Sequence, residues 1–141
     1  MEKGFTLIEL LIILLIIGVL FFAAIPPSSR FIDSIKLNGT AKEIASELRA
    51  LQIRAIAGNT LYEISFEANK YVVSREDLFE AKRVEIKTIE LSRSLYFDKP
   101  VKINFASSGF PKPGGFGTVI LRSKSGSRKI IGSSVGRVRI E

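Results

Sequence analysis

The sequence predicts an α+β chain: one long N-terminal helix, strongly apolar in its first half, packed on antiparallel β-sheets. Three observations predict it. Residues 5–25 read FTLIELLIILLIIGVLFFAAI, with Glu9 the single charge. Apolar residues then recur at helical spacing at Ile44, Leu48, Leu51 and Ala55. Beyond Asn59 the pattern changes to short runs rich in β-branched and aromatic residues. At 141 residues, with the first quarter taken by the apolar segment, one globular domain of roughly 100 residues with a single core can be built.

The apolar run comes first. As a helix, residues 5–25 would be ~32 Å long, enough to cross a hydrocarbon core. A secretory signal peptide would have a shorter apolar stretch ending in a small-x-small cleavage site, whereas this run ends Phe22-Ala23-Ala24-Ile25-Pro26. A plain membrane anchor has no use for Glu9, because a carboxyl inside a spanning helix costs ~2.5 to 3.5 kcal/mol and persists where it has a partner. Lys3 precedes the span while Arg30 and Lys36 follow it, so basic residues alone do not orient it. Pro26 and Pro27 each remove a helical hydrogen bond where the helix would leave the membrane, which predicts a kink there.

The amphipathic half follows. Ile44, Leu48, Leu51 and Ala55 face a core, Lys42 and Arg49 lie elsewhere on the wheel, and Gly58-Asn59 ends the helix. Thr40-x-x-Glu43 has the form of a capping box, so Asn38-Gly39 either breaks the rod or lies unused inside it; one long helix is the preferred reading. Eight strands are predicted at 61–66, 70–74, 84–91, 94–97, 101–105, 118–122, 128–133 and 135–140. Residues 109–117, GFPKPGGFG, hold too much Gly and Pro for regular structure and read as a loop. No Gly-Lys-Ser or Gly-Lys-Thr and no helical pattern follow, which argues against a phosphate-binding loop.

The string Lys3-Gly4-Phe5-Thr6-Leu7-Ile8-Glu9-Leu10 resembles, without a gap, the processing signal of type IV pilins and type II secretion pseudopilins. The resemblance implies a pilin-like fold and cleavage between Gly4 and Phe5 by a prepilin peptidase that N-methylates Phe5. It divides the chain into a leader at 1–4, a transmembrane and filament-core helix at 5–27, and an exported domain at 28–141 whose helix runs to about 58. It implies a single-pass protein of the bacterial inner membrane, its C-terminal domain periplasmic or extracellular. The implied partners are other pilin or pseudopilin subunits and the inner-membrane assembly platform. The new α-amino group at Phe5 would neutralise Glu9 in a low-dielectric bundle, either on a neighbouring subunit or one helical turn away in the same chain.

No Cys and no His are present, which removes disulfides, thiolate nucleophiles, the usual zinc sites and imidazole bases. Neither a cofactor nor a metal is expected. Only the carboxylates Glu76, Asp77 and Glu80 cluster, and they read as a solvated acidic turn, so the chain is not expected to be an enzyme. The net charge of +7 is uneven: residues 99–141 carry nine basic side chains against Glu141 alone. Phe105-Ala106-Ser107-Ser108-Gly109-Phe110-Pro111, Gly126 and Gly136-Arg137-Val138-Arg139-Ile140 resemble the C-terminal half of H-type pseudopilins and FimT-like minor pilins. Strand alternation puts Arg137 and Arg139 on one face and Val138 and Ile140 on the other. FimT-like minor pilins carry a G-R-x-R motif associated with DNA binding, which Gly136, Arg137 and Arg139 match. Lys124, Arg128 and Lys129 would enlarge such a patch for salt-sensitive duplex contact. The competing reading is that these arginines bridge to acidic residues of a neighbouring subunit or stay in water.

Overall fold

A computed structural model describes residues 6–23, 28–77, 82–112, 117–133 and 136–141. The cleavage pair Gly4 and Phe5, the expected kink at Pro26 and Pro27, Glu80 of the acidic turn and the middle of the Gly/Pro-rich loop lie outside the described residues.

Helix α1 spans Leu7–Ala23. Thr6 caps it: its Oγ1 accepts the Glu9 N–H at 3.3 Å, and its carbonyl accepts the Leu10 N–H at 3.3 Å. Thr6-x-x-Glu9 thus places Glu9 at the third helical position, where a carboxylate also favours the positive end of the helix dipole. All side chains from Leu7 to Phe22 are exposed. Seventeen helical residues reach ~26 Å, short of the ~30 Å core. Among the described residues, no helix is long and apolar enough to cross a membrane.

Helix α2 spans Ser28–Ala57 and passes through Asn38 and Gly39 without a break. Leu37 and Ala41 are buried on either side of that pair and hold the turn against the core. Asn38 Oδ1 is engaged by Arg128 Nε at 2.7 Å, so it does not compete for the local backbone. Leu37, Ala41, Ile44, Ala45, Leu48, Leu51 and Ala55 form the buried stripe. The helix ends in a Schellman motif: Thr60 N–H reaches Ala55 O at 3.2 Å and Asn59 N–H reaches Ile56 O at 3.3 Å. The left-handed residue is Asn59, at φ 45°, rather than Gly58.

All eight strands form. β1 (Tyr62–Phe66), β2 (Lys70–Glu76), β3 (Arg83–Glu90) and β5 (Val101–Phe105) make one antiparallel sheet in the order β3-β2-β1-β5. β4 (Leu95–Phe97), β6 (Thr118–Ser123), β7 (Gly126–Gly132) and β8 (Val138–Ile140) make a second antiparallel sheet in the order β4-β6-β7-β8. Alternation sends Ile64 and Phe66 of the first sheet, and Val119, Leu121 and Ile130 of the second, into the core shared with α2. Phe66 meets Phe97 edge-on at 5.0 Å between ring centroids and joins the two sheets. Each fully buried aliphatic side chain in this core contributes roughly 1.5 to 3 kcal/mol by leaving water.

Candidate functional site

Two surfaces carry the residues singled out in the sequence. The first is α1, which presents Glu9 on an otherwise apolar rod with every described side chain exposed. Leu7, Phe21 and Phe22 are 77%, 73% and 84% exposed, a degree of apolar exposure that a helix kept in water would not sustain. An added Cβ at Gly18 would meet nothing within 4 Å, so that glycine leaves an open notch on the rod. Among the described residues, Glu9 is engaged through its backbone N–H, which donates to Thr6 Oγ1. The signal for that cap was the Thr6-x-x-Glu9 spacing, which sequence reading passed over.

The second surface is the sheet β4-β6-β7-β8. α2 covers its inner face, where Val119, Leu121, Ile130 and Val138 are buried. The outer face carries the alternate residues, among them Arg122, Lys129 and Arg139, all exposed. Arg137, also exposed, continues this edge: Ser133 N–H donates to its carbonyl at 3.0 Å, and its own N–H donates to Ser133 Oγ at 3.1 Å. The expected cluster of five bases is therefore divided. Arg137, Arg139 and Lys129 share the outer face. Lys124 is exposed at the β6-β7 turn, at the end of the sheet away from Arg137. Arg128 stands apart from the others: it shares the inward side of β7 with Ile130, is half-buried, and donates to Asn38 of α2. It ties sheet to helix.

Arg137 and Arg139 owe their placement to α2. Gln52 Nε2 donates to Gly109 O at 2.9 Å, and Arg49 Nη2 donates to Val138 O at 3.3 Å. Gly136 sits at φ +76° with its Cα facing the Gln52 amide; a Cβ there would collide with Nε2 and come within 3.2 Å of Gly109 O. The glycine of the G-R-x-R string is thus required by close approach to α2. Toward the other end of the sheet, Arg122 Nε donates to Asp98 Oδ1 at 2.8 Å, and this hydrogen bond and charge raise the pKa of Arg122, holding it cationic.

On the first sheet, Glu63 is buried and ion-paired to Arg83 at 2.8 Å and Lys102 at 3.8 Å. Glu47 of α2 sits between Lys87 at 3.5 Å and Arg54 at 4.0 Å, the latter too long for a hydrogen bond. Tyr71 is buried beside it with a hydroxyl that has no hydrogen-bond partner among the described residues. Burial, then the Glu43 and Glu47 charges, push the Tyr71 phenol up to about 12. These are structural ion pairs and a core phenol.

Residues 1–25 match the family model of the prokaryotic N-terminal methylation motif. Over 81 residues the chain is 32% identical to the type II secretion system protein H of Pseudomonas aeruginosa; the match covers 57% of this chain and 47% of that protein. The chain thus spans about half the length of this curated relative. Its fold is that of the minor pseudopilin EpsH from the Type 2 Secretion System of Vibrio cholerae, with a TM-score of 0.64 at 13% identity over 75% of this chain and 96% of the other. It also matches the type IV minor pilin FimU of Pseudomonas aeruginosa, with a TM-score of 0.60 at 16% identity over 79% and 92%. The expected α+β, pilin-like architecture is therefore the one found. The chain carries the N-terminal methylation motif on that fold.

Proposed function

We propose that this chain is a minor pseudopilin or minor pilin: a non-catalytic subunit cleaved between Gly4 and Phe5, N-methylated at Phe5, and packed into a type II secretion or type IV pilus filament. The observation that carries the reading is the methylation motif at residues 1–25 leading into an apolar helix whose side chains are all exposed around Glu9. An exposed apolar rod is stable inside a bilayer or inside a bundle of similar rods. In such a bundle Glu9 needs a cation, and the α-amino group freed at Phe5 supplies one. This supports an inner-membrane precursor that moves into the filament, with residues 28–141 exported. The matches to a type II secretion protein and to a type IV minor pilin favour filament assembly; they give capture of DNA through Arg137 and Arg139 no support over it.

The test is incorporation. In a host with the peptidase and the cognate filament proteins, Glu9→Leu should be cleaved and should remain in the membrane, yet be at least about tenfold depleted from purified filaments, since the pair it forms is desolvated. Equal recovery of Glu9→Leu and parent in filaments would defeat the reading.

A further inference from the structure

The outer face of the β4-β6-β7-β8 sheet is ordered in two rows. Register places Tyr96 opposite Arg122, Ile120 opposite Lys129, and Ile131 opposite Arg139. Each cation therefore has an apolar or aromatic neighbour directly across, on the preceding strand. Arg122, Lys129 and Arg139 lie on β6, β7 and β8, each displaced two residues along the sheet from the last. With strands ~4.8 Å apart and ~3.3 Å per residue, successive cations are ~8 Å apart on a diagonal. Arg137 lies two residues from Arg139 along the same edge, beside the end of that line. Tyr96, Ile120 and Ile131 form a second diagonal parallel to the first.

Three features distinguish this face from an ordinary solvated one. Arg139 and Lys129 stand in no ion pair among the described residues, although Glu141 lies opposite Lys129 on the β8 side, and Arg122, the third cation of the row, is paired to Asp98 at 2.8 Å. Tyr96 is 47% exposed next to Arg122, a surface aromatic beside a guanidinium. The edge strand β8 is held in place from behind by Arg49 through Val138 O, so the row is presented on a fixed backbone. An exposed tyrosine and half-buried isoleucines beside arginines match the composition of a protein interface. A phosphate backbone would use the cations and leave the apolar row exposed to water.

We infer that this face docks a neighbouring protein subunit through a surface bearing carboxylates in one row and apolar side chains in the row beside it. The inference rests on the filament reading above, because the neighbour is another subunit of the assembly. Charge complementarity selects the partner and the register, and the apolar row supplies the buried area. Arg128 takes no part, since it faces α2.

The full-length chain, expressed with the rest of its assembly, tests this through a photo-crosslinking residue in place of Thr118, an exposed uncharged position opposite Ile131, with Thr88 on the other sheet as the control site. Thr118 should yield a covalent adduct with a second pilin-like protein, stronger than at Thr88. The double variant Lys129→Glu/Arg139→Glu should reduce it about tenfold or more, because like charges are then apposed. Both altered residues point outward, so the variant should keep the parent melting curve, and its cleavage after Gly4 should be unchanged. An adduct insensitive to charge reversal, an adduct removed by nuclease, or no adduct at Thr118 in a correctly cleaved chain overturns the docking face alone. Failure of cleavage after Gly4 in the parent would instead overturn the filament reading on which it rests.

Discussion

Replacing Gly136 by Ala isolates the device that positions the C-terminal arginines. The residue sits at φ +76°, where an L side chain costs roughly 1 kcal/mol. Its new Cβ would overlap Gln52 Nε2 and press on Gly109 O at 3.2 Å, so the Gln52 amide must move. That movement gives up the 2.9 Å hydrogen bond to Gly109 O, worth about 1 kcal/mol, and adds about 1 kcal/mol of overpacking. The expected cost is therefore about 3 kcal/mol, or about 10 °C in melting temperature for a domain of this size. Thermal unfolding of the detergent-solubilised chain, followed by circular dichroism, measures it. In a Gln52→Ala background the collision and the hydrogen bond are already gone, and Gly136→Ala should cost only the backbone share of about 1 kcal/mol. A Gly136→Ala protein that melts with the parent, or an equal loss in both backgrounds, would refute the role assigned to Gln52.

Gly39 is the opposite case: it lies within α2 with nothing within 4 Å of an added Cβ, so Gly39→Ala should stabilise by about 0.5 to 1 kcal/mol in the same melt. Leu48 is fully buried in the helix stripe, and Leu48→Ala should cost about 2 to 5 kcal/mol, read as a lower denaturation midpoint. Tyr71 has a phenol pushed above its unfolded value of 10.0 to about 12, so the folded state holds that proton more tightly. Its contribution is fully present below pH 10 and is lost as pH rises from 10 to 12. Tyr71→Phe should melt within ~1 kcal/mol of the parent at neutral pH, since the hydroxyl has no partner, and should lose this alkaline component when melts are compared across that range.

Much of the architecture was legible because it depends on short-range pattern. The predicted β-run at Val101–Phe105 coincides with β5, and the stripe of Ile44, Leu48, Leu51 and Ala55 is buried as its spacing requires. The division into two sheets was not legible, because β5 pairs with β1 across three intervening strands and β4 joins β6 instead of its neighbour in sequence. Arg128 was grouped with the exposed bases on charge alone; counting by twos from Ile130 places it inward, where Asn38 receives it. The outward placement of Arg137 and Arg139 followed from alternation with Val138. That Gly136 exists to clear Gln52 could not be read, since the two are brought together only by the folded chain. The end of α2 was located to within a residue, but its left-handed position fell on Asn59, which tolerates that conformation through its short polar side chain.

The most direct test of the central claim is the intact mass and N-terminal sequence of the protein recovered from membranes of a host that contains a prepilin peptidase, beside a Gly4→Ala control. A mature chain beginning at N-methylated Phe5, absent in the control, is the predicted result. A chain that still begins at Met1, or one cut near Ala24, would contradict the account.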